Sequence, residues 1–123
     1  MGSYKNHTLM YMNLKKDAEN RSLSVPSRVE LYFLSIFHLI ESCMSKVNIH
    51  INKHQKVRYI LEGAPEIFGV DTEKVWRLFQ ELETRLRPKF TYGFSWEDKD
   101  FEDVKRIFIE LEAICVGVLE NEI

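Results

Sequence analysis

The apolar positions of this chain recur with the period of helices and nowhere with the alternation of a half-buried strand. Between Val29 and Met44 they cover nearly the whole circumference of a helix, taking in Leu31 to Leu34, Ile36, Phe37, Leu39, Ile40 and Cys43. A helix apolar all round packs on several sides, so a central helix from Ser27 to about Lys46 is predicted. Ser27-Arg28-Val29-Glu30 after Pro26 has the form of a capping box that would start it. Upstream, residues 4–23 are polar apart from Leu9, Met10, Met12 and Leu14, which predicts a short peripheral helix and then a loop. Downstream come a loop over residues 48–52, a third helix from Lys53 to Leu61, and Gly63 as its stop.

The segment APEIFGV reads as a connector whose Ile67, Phe68 and Val70 plug the core edge. Asp71 can cap a fourth helix, given its stripe by Val75, Trp76, Leu78, Phe79, Leu82 and Leu86. Pro88 is expected to end it by holding Arg87 extended. Asp98 or Asp100 caps a last helix, where Phe101, Val104, Phe108, Leu111, Cys115 and Val118 form a seam widened by Ile107 and Ile114. The predicted fold is all-α: one domain over residues 1–123, an antiparallel bundle of four or five helices.

Composition changes this little. A length of 123 residues supports a core without metal or disulfide staples, and five Gly with three Pro suit helices. Cys43 and Cys115 fall inside apolar patterns, as reduced core residues do, which fits a cytoplasmic setting. No leader peptide is expected at the N-terminus, and no apolar run is long enough to span a membrane.

Charge changes the picture more. The net charge is −2, but residues 1–63 hold nine Lys or Arg against five Asp or Glu. Residues 64–123 hold eight against fourteen. Lys46, His50, Lys53, His54, Lys56 and Arg58 occupy one turn and helix without a single carboxylate. Lys53 and His54 would open the third helix, where free N–H groups and the dipole favour an anion. Arg85, Arg87 and Lys89 form a second basic cluster at the end of the fourth helix. If the two meet, they make a cationic cleft lined also by Tyr92 and Ser95; otherwise each is a solvated surface. The aromatics Phe90, Tyr92, Phe94 and Trp96 either fold back over the bundle end or form a contact or stacking surface.

Metal and catalytic signatures are weak. His50 and His54 are four apart, but neither a carboxylate nor a Cys adjoins them, so no metal site and no cofactor is expected. His38 reads as a core histidine with a hydrogen-bonded ring. There is no nucleophile elbow and no Walker A loop. The acids of WEDKDFED open a helix, where the dipole already explains them.

Three stretches, RVELYFLSIFHLIESC, IHINKHQKVRYIL and RLRPKFTYG, resemble the HEPN domains, a superfamily of small helical bundles, from Arg28 to Val116. The resemblance implies a dimer and a phosphate-binding cleft, and many HEPN domains are metal-independent ribonucleases. Those use an Arg followed, after four to six residues, by a His. Here both Arg85 and Arg87 lead to Tyr92 at that distance, and no Arg has a His at that spacing. Tyrosine, with a pKa of about 10, is a poor proton shuttle at neutral pH. The resemblance therefore implies the cleft without the catalytic histidine: a non-catalytic nucleotide- or RNA-binding domain, as found beside a nucleotidyltransferase in two-component, toxin–antitoxin-like modules. Its site would comprise Lys53, His54, Arg58, Arg85, Arg87, Lys89 and Tyr92. The alternatives are a ribonuclease toxin with an unconventional base, such as His54, and a purely protein-binding module.

Overall fold

The computed structural model describes residues 4–51, 53–93 and 95–120, and among them there is no strand. The helices are α1 (Tyr4–Ala18), α2 (Val25–Ser45), α3 (Val57–Gly63), α4 (Thr72–Glu81), α5 (Arg87–Thr91) and α6 (Asp98–Glu120). A π-helical turn over Leu82–Leu86 joins α4 to α5 without a break. Short 3₁₀ turns precede α3 (His54–Lys56) and α4 (Gly69–Asp71).

The expected central helix is present. Val29, Tyr32, Phe33, Ile36, Leu39, Ile40, Cys43 and Met44 of α2 are all buried. The α4–α5 rod runs antiparallel to α2, bringing Arg87 to Glu30 and Phe79 to Phe33. α6 then returns antiparallel to α4, with Lys74 beside Glu110 and Arg85 beside Asp103. α2 and α6 consequently run parallel: Tyr32 meets Phe101 near one end, and Lys46 donates to the Val118 carbonyl at the other. The α6 seam buries Phe101, Val104, Ile107, Phe108, Leu111 and Cys115. Cys43 and Cys115 are free thiols in this core. Desolvation holds the Cys115 thiol well above its ordinary pKa, so it is inert as a nucleophile.

Several boundaries differ from the sequence expectation. α2 starts two residues before Ser27: Ser24 is the cap, accepting from the Ser27 amide at 3.3 Å, and Pro26 sits in the first turn, where no donor is needed. Asn48, at φ 65°, closes α2, with the Ile49 amide returning to the Met44 carbonyl at 3.0 Å. Gly63 is the last residue of α3 and has no left-handed φ. Val70 is fully exposed, while Ile67 and Phe68 do enter the core. Asp71 stands at the α4 cap position without a capping bond from its side chain.

Pro88 does not end the helix. Arg87 is helical (φ −54°, ψ −44°), and its amide bonds to the Leu82 carbonyl, five residues back. This wider turn accommodates a residue that has no amide hydrogen, which an unbroken α-helix could not do cheaply.

α1 is longer than expected, and Leu9, Met10 and Met12 face outward. Tyr11 and Ala18 supply its buried apolar contact, and polar bonds fix it to the bundle. Ser35 donates to the Tyr11 carbonyl at 2.9 Å, Arg28 to the Ala18 carbonyl at 2.7 Å, Thr8 bonds Ser42, and Tyr11 bonds Glu112.

At the other end, Phe90 is buried and Trp96 packs on it at 5.1 Å, so these aromatics fold back over the bundle. Tyr92 is exposed. Phe94 and Asn52 lie outside the described residues. Asp100 organises the start of α6, accepting from the Glu97 amide at 2.9 Å and from Lys89 at 3.1 Å.

Two outcomes follow from this packing. Phe33→Ala should lower unfolding stability by about 3–5 kcal/mol, read from denaturant midpoints, because it opens a cavity in a fully buried cluster. The Glu97 amide, then Lys89, hold the Asp100 carboxyl below its ordinary pKa of 3.8. A depressed folded-state pKa stabilises above the unfolded value and stops doing so as pH falls past it. Asp100→Asn should therefore lower stability at pH 6 and flatten its decline below about pH 4, measured by unfolding across that range.

Candidate functional site

Basic and aromatic residues from separate elements converge where the turn before α3 crosses the α4–α5 rod. His54, in that turn, has its ring nearly perpendicular to those of Phe33 and Phe37, with centroids 5.1 and 5.9 Å away. Its Nδ1 bonds the carboxylate of Glu83, on the π turn. Arg58 of α3 lays its guanidinium over the ring of Trp76, 3.9 Å from the centroid, where the ring's negative face attracts a cation. Arg87 grips Glu30 with two bonds of 2.9 Å while lying 4.4 Å over Phe33. The Glu30 carboxylate favours the charged guanidinium and raises its pKa.

These three side chains line one cleft of about 480 Å³, with Trp76, Phe79, Gln80, Glu83 and Thr84 in its walls. Gln80 Oε1 is buried there without a hydrogen-bond partner. An unpaired buried amide oxygen is costly, and a ligand donor would relieve it.

The seven residues singled out from the sequence are thus divided. His54, Arg58 and Arg87 share the cleft; Arg85 lines an adjoining depression with Arg58 and pairs with Glu81. Lys89 turns to Asp100 instead. Lys53 and Tyr92 are exposed and outside the cleft lining, as is Ser95. The cause is the unbroken rod: side chains two positions apart on a helix point to nearly opposite sides. Arg85, Arg87 and Lys89 would form one cluster only on an irregular chain, which Pro88 does not produce.

The expected excess of positive charge is largely neutralised in space. The basic segment has no carboxylate of its own, but Glu83 reaches His54, Glu30 reaches Arg87, and Glu62 lies 3.3 Å from Arg58. Sequence proximity carries no signal for the first two, because Glu83 and Glu30 come from other elements.

A second group of polar side chains lies outside the residues to which the sequence points. His7 of α1 and His38 and Glu41 of α2 meet on the far side of Phe37, whose ring lies 6.2 Å from His38. The Nδ1 atoms of His7 and His38 are 3.2 Å apart, and Glu41 Oε1 is 3.5 Å from the first and 3.3 Å from the second. Desolvation lowers the pKa of both imidazoles and raises that of the Glu41 carboxyl to about 7. His38 is half-buried with a partnered ring, as expected, but its partners were not foreseen. The spacing His38-x-x-Glu41 on one helix was the available signal; His7 had none.

Fold and sites together define an all-α bundle whose cleft combines two arginines, a carboxylate-held histidine and a tryptophan. No protein-family model, curated protein or solved structure matches the chain.

The Arg87–Glu30 pair is only partly screened from water, so its worth is modest. Arg87→Gln should cost about 1 kcal/mol or less in denaturant unfolding and leave helix content unchanged, a smaller loss at high salt being the sign of a Coulombic origin.

Proposed function

We propose that this chain is a HEPN-like domain that binds the phosphate of a nucleotide or single-stranded RNA in the cleft formed by His54, Arg58 and Arg87. The observation that carries this reading is the convergence of those three side chains, from the turn before α3, from α3 and from α5, on one cleft of 480 Å³. Arg58 is half exposed and its contact to Glu62 is loose, so a phosphate oxygen can replace that carboxylate at small cost. Arg87, held by Glu30, presents a fixed edge rather than a mobile charge. Gln80 lines the same cleft, and its buried, unpartnered Oε1 would gain a partner by turning outward to a ribose hydroxyl or a base amine. The Trp76 ring becomes available for stacking once Arg58 swings to the phosphate. Dimerisation and a nucleotidyltransferase partner belong to the same proposal through the family resemblance.

The competing carboxylates set the scale of affinity. An anion must displace or share partners already present, so binding in the micromolar range is expected rather than tighter. With about two phosphates contacted, a fourfold rise in salt should weaken single-stranded RNA binding about sevenfold. Fluorescence anisotropy with labelled RNA tests both points. The double variant Arg58→Ala, Arg87→Ala should lose at least about tenfold in affinity, as expected for two charge-assisted contacts. Unchanged binding in that folded variant would refute the cleft.

One observation favours a second reading. Glu83 holds His54 Nδ1 and so orients the ring, the arrangement a general base requires, beside two arginines able to neutralise a developing phosphorane. On this reading the bundle cleaves RNA without metal, with His54 taking the place of the histidine absent after Arg87. His54→Ala would then abolish cleavage while keeping RNA affinity within a few-fold, and RNA left intact by the unaltered protein would dismiss it.

A further inference from the structure

The cluster of His7, His38 and Glu41 has the geometry of a metal site, and it owes nothing to the phosphate cleft. Three atoms able to ligate, two imidazole Nδ1 and one carboxylate oxygen, form a triangle with sides of 3.2, 3.3 and 3.5 Å. Zinc bonds His nitrogen and carboxylate oxygen at about 2.0–2.2 Å, so neighbouring ligands in its tetrahedron lie about 3.3–3.5 Å apart. The triangle therefore matches one face of a zinc tetrahedron to within about 0.1 Å on every edge.

Protons satisfy this group poorly. Each can bridge one edge of the triangle, whereas a cation near its centre engages all three lone pairs at once.

Rigidity comes from the two helices. His38 and Glu41 stand three apart on α2, hence on one face, and both are wholly helical. His7 is brought opposite by α1, whose register on α2 is fixed by the Thr8–Ser42 bond one residue along from His7 and from Glu41. His7 and Glu41 side chains are 15% and 9% exposed, shielded yet within reach of an entering ion.

We propose that His7, His38 and Glu41 bind a single divalent first-row transition-metal ion, zinc being the best match, with the remaining coordination position open to water. Two imidazoles and one carboxylate suit such metals and discriminate against calcium and magnesium, which prefer all-oxygen shells. The ion links α1 to the central helix. α1 otherwise contributes little apolar burial, with Leu9, Met10 and Met12 turned outward. Metal binding is thus also a clamp on the N-terminal helix.

The test uses the full chain stripped with a chelator and then dialysed free of it. Isothermal titration with Zn²⁺ should show one ion per chain with micromolar or tighter affinity. Co²⁺ should give visible d–d bands of the intensity typical of four-coordinate sites. Glu41→Gln, His7→Gln and His38→Gln should each weaken Zn²⁺ binding by at least about tenfold, since even partners of ligands contribute that much. Glu41→Gln keeps the shape of the side chain, so it decides the matter should a histidine variant unfold by circular dichroism. Absence of a binding heat with the unaltered chain would overturn the proposal. So would equal affinity in Glu41→Gln and the folded histidine variants, which would move the ion to exposed histidines such as His50. RNA binding by the chelated protein is a separate readout, so failure of either site leaves the other standing.

Discussion

Phe33 is the contact on which the cleft and the core both depend. Its ring is fully buried in α2, stacked on Phe79 of α4 at 5.3 Å. The same ring stands perpendicular to that of His54 and carries the guanidinium of Arg87 on its face. One hydrophobic side chain thus sets the distance between the rod and the central helix and also the floor beneath two polar groups. Aromatic rings do this better than aliphatic side chains, because their electron-rich faces attract cations while their bulk excludes water. His54 and Arg87 are therefore both seated on the core, although His54 itself comes from the short turn before α3.

The charge pattern shows how a local signal is altered by folding. Residues 46–61 contain no carboxylate, which in isolation describes an anion site. In three dimensions the carboxylates arrive from α2 and the π turn, and the cleft is a balanced array of paired charges. Such an array has low net attraction for distant anions but offers preformed arginine geometry to a ligand that can exchange for a carboxylate. For the proposed phosphate ligand, selectivity would then rest on shape and hydrogen bonding more than on long-range steering.

Much of the fold was legible in the chain, for identifiable reasons. The all-round apolar character of α2 and the seam of α6 are long periodic signals, and tertiary packing reinforced them. What failed was local punctuation. Ser27 after Pro26 reads as the helix start although Ser24 is the cap, because a proline in the first turn and a proline before a helix look alike in sequence. Pro88 reads as a stop because the π turn that accommodates it has no composition of its own. Arg85, Arg87 and Lys89 are neighbours in sequence, but on the continuous rod they turn to different partners, Glu81, Glu30 and Asp100. His54, Arg58 and Arg87 were legible as cleft residues; Glu83, Glu30, Trp76 and Gln80, the groups that give them chemical meaning, were not.

α2 also explains why two polar sites can stand so close without interfering. Phe37 lies between them, 5.9 Å from the ring of His54 and 6.2 Å from that of His38. It belongs to neither cluster, and it keeps a layer of hydrocarbon between the Glu83–His54 pair and the His7–His38–Glu41 triangle. Each polar group is then governed by its own partners: Glu83 and the arginines on one side, α1 on the other. The arrangement has a structural consequence for α1. A helix with its larger apolar residues facing out gains little from burial, so its place on the bundle depends on directional bonds to Ser35, Ser42 and Glu112. Directional bonds fix register where hydrophobic contact alone would allow sliding, and register is what brings His7 opposite His38 and Glu41.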